Sequence, residues 1–179
     1  MTVAEVVLDP EKEYEIVNGQ PEEKDMAGAR HSRIGTRLIG RLQPFVEAHE
    51  LGEVYGPDAT FRIGMNQRLP DVSFVAAARI PVEGDPEGIW EIAPDLAVEV
   101  VSPNDIWEKV HGKVLEYFAA GVKQVWLISP EYKNVFVFDS PTQTTILSEQ
   151  DELVSAQLLP GFRCHVSELF KPPKHSTSK

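Results

Sequence analysis

Pro94-Asp95-Leu96-Ala97-Val98-Glu99-Val100-Val101-Ser102 sets a carboxylate in the middle of an apolar strand. A lone charge among valines costs several kcal/mol unless a partner compensates it. A second strand-like run, Pro70-Asp71-Val72-Ser73-Phe74-Val75-Ala76, begins with another acid. The helix expected after Glu99 carries Lys113 beside its apolar face. Two acids and a lysine from three neighbouring elements are the parts of a metal site that cleaves phosphodiesters.

Strand geometry decides which acids can work together. Residues of one parity share a face, so Leu96, Val98 and Val100 point one way and Asp95, Ala97, Glu99 and Val101 the other. Asp95 and Glu99 share a face but stand four residues apart, roughly 13 Å at about 3.3 Å per residue, too far to share an ion. Asp71, on a neighbouring strand about 5 Å to the side, can share one with Glu99. On the following helix the wheel puts Trp107, Val110, Val114, Tyr117 and Phe118 on the apolar side. Lys113 falls at the edge of that stripe, where an ammonium either snorkels to water or reaches a carboxylate on the sheet beneath.

Working outward, Tyr14-Glu15-Ile16-Val17-Asn18-Gly19-Gln20 reads as a strand entering a hairpin turn, since Asn-Gly supplies two residues able to take positive φ. Ile34, Leu38, Leu42 and Phe45 recur at helical spacing and predict a helix from about Gly28 to Glu50, ended by Gly52. Strands are expected over Glu53–Ile63, Asp71–Ala76 and Leu96–Ser102, with a Pro- and Gly-rich loop over Pro81–Glu91. Ser102-Pro103-Asn104-Asp105 opens a second helix, with Asp105 as its expected cap, and Gly121 stops it. Strands at Gln124–Ile128 and Val135–Asp139, a turn at Gly161 and a short element at Val166–Phe170 complete the order. This predicts one mixed α/β (α+β) domain over residues 1–170 with a largely contiguous sheet, and a disordered tail over 171–179.

The chain has 179 residues, 42% of them hydrophobic, which suits one domain with a substantial core. Apolar runs are only strand-length, so no membrane span is expected. Residues 1–12 carry acids where a signal peptide needs a basic start and an apolar stretch. A single cysteine, Cys164, excludes an internal disulfide framework and a cysteine-rich zinc site, and implies a reducing, cytoplasmic setting. The net charge of −11 argues against a bulk electrostatic grip on nucleic acid, though it leaves room for a local basic surface. Walker, dinucleotide-binding, Gly-x-Ser-x-Gly and His-Glu-x-x-His motifs are absent.

A longer pattern joins these pieces. It comprises Ala93 to Asp105, then Lys113, Tyr117 and Ala120-Gly121-Val122, then Val125-Trp126-Leu127-Ile128. Tyr14 to Gly19, His31, Pro70 to Val75 and Leu159-Pro160-Gly161-Phe162 extend it over nearly the whole chain. In this order the motifs resemble the Uma-type restriction endonuclease family of the PD-(D/E)XK nuclease superfamily. The resemblance implies a restriction-endonuclease-like central mixed sheet flanked by helices, preceded here by the N-terminal β-hairpin. It implies Asp71 as first acid, Glu99 as second, and a metal bound at a fork between two strands. The lysine usual two residues after the glutamate is absent, since Val101 stands there, and Lys113 matches the family's relocated lysine.

The expected site is therefore Asp71, Glu99 and Lys113, with Asp71, Glu99 and the Val100 backbone carbonyl as ligands of Mg²⁺, or of Mn²⁺ in its place. Lys113 would orient a water and stabilise developing negative charge. Glu15 and His31 also match family positions, as additional site residues or as packed polar groups. Arg30, Arg33, Arg37 and Arg41 form a stripe on the solvent side of the first helix, either a DNA-backbone contact or an ordinary solvated face. The leading expectation is a Mg²⁺-dependent endodeoxyribonuclease, acting as a homodimer by fold-level analogy. The alternative is a catalytically inactive nuclease-fold protein serving as a binding or assembly module. A glycosidase pair is disfavoured by the neighbouring lysine and by the closeness of the two strands.

Overall fold

The computed structural model describes residues 9, 12–24 and 28–173. β1 (Tyr14–Val17) and β2 (Gln20–Glu23) form the expected hairpin, with Asn18 at φ 51° and Gly19 at φ 75°. α1 (Ala29–Ala48) follows, burying Ile34, Leu38, Leu42 and Val46 at the spacing of one helical face. The helix ends on His49 rather than at Gly52. Gly52 instead opens β3 (Gly52–Tyr55), where a Cβ would lie 2.0 Å from the Val75 carbonyl oxygen. Its role is close strand approach, a different use of glycine from a helix stop.

The run 53–63 is two strands, not one. Gly56-Pro57 breaks it, and β4 (Phe61–Ile63) pairs with β5 (Asn66–Arg68) in a separate sheet. That four-stranded sheet has the order β2-β1-β5-β4. β6 (Val72–Ala76) and β7 (Leu96–Val100) are antiparallel. α2 (Trp107–Ala119) then crosses over to β8 (Gln124–Ser129), which is parallel to β7, as a strand–helix–strand crossover requires. Asp105 does not cap α2: its carboxylate accepts the Ser102 N–H, and Ile106 takes the cap position without a side-chain bond.

β9 (Asn134–Ser140) and β10 (Gln143–Leu147) extend the central sheet to the order β10-β9-β8-β7-β6-β3. β11 (Glu152–Ser155) and β12 (Leu159–His165) form a small hairpin that leads into α3 (Val166–Phe170). Gly161 lies inside β12 at φ 91°, beside a shift in register, so it marks an irregular strand rather than a turn. The expected tail beyond Pro173 falls outside the described residues.

The sheet is covered on both faces. Val72, Phe74, Leu96, Val98, Trp126 and Ile128 pack against α1, α3 and the β11–β12 hairpin. Val75, Ala97, Val125 and Leu127 pack against Val114 and Tyr117 of α2, with Phe61 and Trp90 beside them. This sandwiching explains why β7 and β8 read as nearly continuous apolar runs. Trp107, expected on the apolar side of α2, is 53% exposed. By parity Glu99 belongs with Ala97, on the α2 face. Among the described residues, no helix is long and apolar enough to cross a membrane.

Candidate active site

The pairing of β6 with β7 runs from Phe74↔Leu96 to Val72↔Val98. One step further along the same register sets Asp71 opposite Glu99. There the ladder stops, and the Asp71 carboxylate replaces the missing backbone acceptor: Val100 N–H donates to Asp71 Oδ2 at 2.7 Å. Asp71 is buried, and two cations hold it. Lys24 Nζ lies 3.2 Å from Oδ1 and His31 Nε2 lies 3.1 Å from Oδ2. Burial alone would raise the Asp71 pKa, but His31, Lys24 and the Val100 N–H together hold it below the usual carboxylate range. His31, near the start of α1, also hydrogen-bonds the Val100 backbone, and its pKa is raised despite its burial.

Glu99 is no lone charge. Its Oε1 accepts a hydrogen bond from the Tyr117 hydroxyl and lies 3.1 Å from Lys113 Nζ. Burial still pushes the Glu99 pKa up, because repulsion from Asp71 and Glu15 offsets part of what Lys113 contributes. Lys113 reaches Glu99 because α2 lies across this face of β7, with its neighbour Val114 buried against the sheet. Its ammonium lies between Glu99 and Glu15, 2.9 Å from Glu15 Oε1. Burial would lower the Lys113 pKa, but Glu99 and Glu15 raise it above the ordinary lysine value, so the ammonium stays charged.

Glu15, on β1, is held in turn by Arg68 Nη1 at 2.8 Å and by the Leu69 N–H at 3.0 Å. Burial would raise the Glu15 pKa, but Lys113 foremost, then the Leu69 N–H and Arg68, hold it below normal. Arg68 also reaches Glu116 on α2, with Nη2 2.7 Å from Oε2, and Asn66 donates to the same carboxylate. The hairpin sheet is thus fastened to α2 by a chain of partly buried ion pairs. These groups line one cleft of ≈ 380 Å³ whose walls include Lys24, His31, Asp71, Glu99, Val100 and Lys113.

The sequence reading did not single out Lys24, Arg68, Glu116 or the Tyr117 hydroxyl. Tyr117 is visible in the sequence as an apolar wheel position and as part of the family pattern, neither of which gives its hydroxyl a role, and the charged residues give no periodic signal. Conversely, the arginine stripe does not face the cleft. Arg30 donates to the Pro130 carbonyl, Arg37 to the Leu169 and Lys171 carbonyls, and Arg41 pairs with Glu168 at 2.8 Å. Among the described residues, buried Arg33 Nε has no hydrogen-bond partner. Asp95 stands at the other end of β7, fully buried, bound by the Ala76 N–H, Arg79 and Lys123. Among the described residues no three His, Cys, Asp or Glu side chains are grouped to hold a metal ion. A centre here would have to combine two carboxylates with a backbone oxygen.

Comparisons with known proteins agree on the architecture. A crystal structure described as a "putative nuclease belonging to DUF820", from Anabaena variabilis, superposes with a TM-score of 0.81 at 23% identity. The match covers 92% of this chain and 93% of that one. At that identity the likeness speaks to fold: a nuclease-type mixed sheet flanked by helices. No curated protein matches the chain. The model of the Uma2 family, described as "Putative restriction endonuclease", matches residues 4–167. The chain belongs to the Uma2 family of restriction-endonuclease-like proteins.

Proposed function

We propose that this chain is a divalent-metal-dependent endonuclease that hydrolyses DNA phosphodiester bonds, with Asp71, Glu99 and Lys113 as its catalytic residues. One observation carries the reading: Asp71 and Glu99 meet at a strand fork, with the Lys113 ammonium 3.1 Å from Glu99. Membership of a restriction-endonuclease family supports it. The donor set suits a hard cation, since Asp71, Glu99 and the Val100 carbonyl offer the oxygen ligands Mg²⁺ takes, and Mn²⁺ in its place. Glu99 also retains a demand for positive charge: burial and its acidic neighbours keep its pKa raised despite Lys113.

When bound, the ion supplies Lewis-acid charge beside the scissile phosphate and acidifies a water. Protein groups do the rest. Lys113 stays protonated, so it donates hydrogen bonds to the attacking water and to phosphoryl oxygens as negative charge develops, and it takes no proton itself. Glu15 keeps that ammonium charged and in place. The Tyr117 hydroxyl fixes one oxygen of Glu99, and His31 with the Val100 N–H fixes Asp71 Oδ2. The reading includes one domain over residues 1–170, a cytoplasmic setting, and a homodimer that brings two clefts to the two strands of a duplex.

Plasmid DNA, single-stranded DNA and RNA, incubated with wild type, Asp71→Ala, Glu99→Gln and Lys113→Met in Mg²⁺, Mn²⁺ or chelator, test it. Metal-dependent nicking of DNA is expected to fall by about 10²–10³ in each variant. Equal nicking by all four proteins assigns the cleavage to something else. A second reading, a silent nuclease-fold binding module, is favoured by the cations Lys24, His31 and Lys113 already paired with both acids. No cleavage of any substrate, with no heat of metal binding, selects it.

A further inference from the structure

Lys24 lies one residue beyond β2, and its side chain is only 14% exposed. Its ammonium is 3.2 Å from Asp71 Oδ1 and donates to the Leu69 carbonyl at 2.8 Å. Its charge is felt by both acids of the fork, favouring the ionised forms of Asp71 and Glu99, and it opposes the charge on His31. A positive group held by one carboxylate oxygen and one carbonyl oxygen, and felt by a second carboxylate, has the surroundings of a bound cation.

The two cleft lysines differ in how they are held. Lys113 is fixed between two carboxylates and projects from the middle of a helix. Lys24 has one carboxylate and one neutral oxygen, on a four-carbon stem at the end of a strand. An ammonium is strongly hydrated, so Lys24 is the one that can return to water with little loss.

We infer that Lys24 is an internal stand-in cation: it covers Asp71 Oδ1 in the metal-free protein and withdraws when a divalent ion binds at Asp71 and Glu99. The inference rests on the metal centre proposed above. It makes metal affinity the outcome of a competition between the ion and a side chain of the same protein.

Titration calorimetry with MgCl₂ and MnCl₂ on wild type, Lys24→Met, Lys24→Gln and Asp71→Ala tests it. Both Lys24 variants should bind metal at least tenfold more tightly than wild type, and Asp71→Ala should lose binding. A second measurement uses wild type alone. Limited acetylation read by peptide mass should show Lys24 protected without metal and labelled several-fold faster with Mg²⁺, while Lys113 stays protected. Affinity unchanged or weakened in both Lys24 variants, with binding still abolished by Asp71→Ala, overturns the stand-in role and leaves the metal centre standing. Absence of binding in every protein, the Lys24 variants included, removes the centre and the inference together.

Discussion

Replacing Lys113 with methionine removes the ammonium that Glu99 and Glu15 share while keeping most of the stem. Glu15 retains Arg68 and the Leu69 N–H, so it remains compensated. Glu99 retains the Tyr117 hydroxyl as hydrogen-bond donor and, at longer range, the charge of Lys24. Removing one partner of a buried pair costs about 3–5 kcal/mol. Here the loss has a ceiling, because Glu99 can bind a proton instead. From the ordinary value of 4.5, protonation at pH 7.5 costs at most about 4 kcal/mol, at 1.36 kcal/mol per pH unit. A loss of about 3 kcal/mol lowers Tm by roughly 6–12 °C for a chain of this size. The sign with pH follows from proton counting. A carboxyl whose folded pKa is raised holds a proton that the unfolded chain has released, so stability falls as pH rises through that window. The deficit should therefore shrink toward about 1 kcal/mol near pH 5.5. Lys113→Met/Glu99→Gln, with no carboxylate left to strand, should recover most of the loss at pH 7.5. Urea unfolding in chelator at both pH values measures all of this. A deficit below about 1 kcal/mol at pH 7.5, or a double variant no more stable than the single, would refute the pairing argument.

Asp95→Asn should cost about 2–3 kcal/mol near neutrality, since it removes the charge that Arg79, Lys123 and the Ala76 N–H all address. Burial opposes its ionisation, but those partners lower the Asp95 pKa, so its stabilisation is present above 3.8 and lost as pH falls through the folded value. Acid unfolding of the variant should be correspondingly flatter. Gly52→Ala should fail to fold or lose more than ~10 °C in Tm, because its Cβ meets the Val75 carbonyl at 2.0 Å. Gly40→Ala, in open space on α1, should gain about 0.5–1 kcal/mol; comparable Tm values for the two variants would contradict the packing. If duplex DNA is held through the cleft, log K against log[salt] should be shallow, with a slope of about −2 to −3, because Arg30, Arg37 and Arg41 of α1 are spent on the protein's own carbonyls and on Glu168. A slope near −8 in a fluorescence titration would mean a cationic contact much broader than this cleft.

What the sequence disclosed depended on whether a residue's role leaves a periodic or conformational trace. Asn18-Gly19 disclosed its hairpin because positive φ is a local demand. Ile34, Leu38 and Leu42 disclosed α1 because burial repeats with the helix. β10 gave no trace: Gln143 to Ile146 are exposed, and the strand exists through pairing with β9 alone. The split of 53–63 was written in Gly56-Pro57, but β-propensity on either side concealed that the halves join different sheets. Gly52 and Gly161 show that a glycine's position signals a special backbone without saying which kind.

The candidate site was half legible for a related reason. Glu99 and Asp71 stood out because acids in apolar strands are expensive, and Lys113 because it breaks a helical stripe. Lys24 and Arg68 cost nothing where the sequence shows them, at the end or within polar strands, and their partners lie 47 and 53 residues away. Only the fold brings them in. They change what the net charge of −11 means. Read along the chain, the acidity opposes a polyanionic substrate. In the cleft, Asp71, Glu99 and Glu15 each face at least one cation within 3.2 Å, so the local field differs from that of the surface. The residual imbalance sits at Glu99, whose raised pKa registers burial first and then repulsion from Asp71 and Glu15. On the proposed reading, a divalent cation at that point would remove the repulsion and add the positive charge a phosphodiester needs, which reconciles the cleft's acidity with phosphate chemistry.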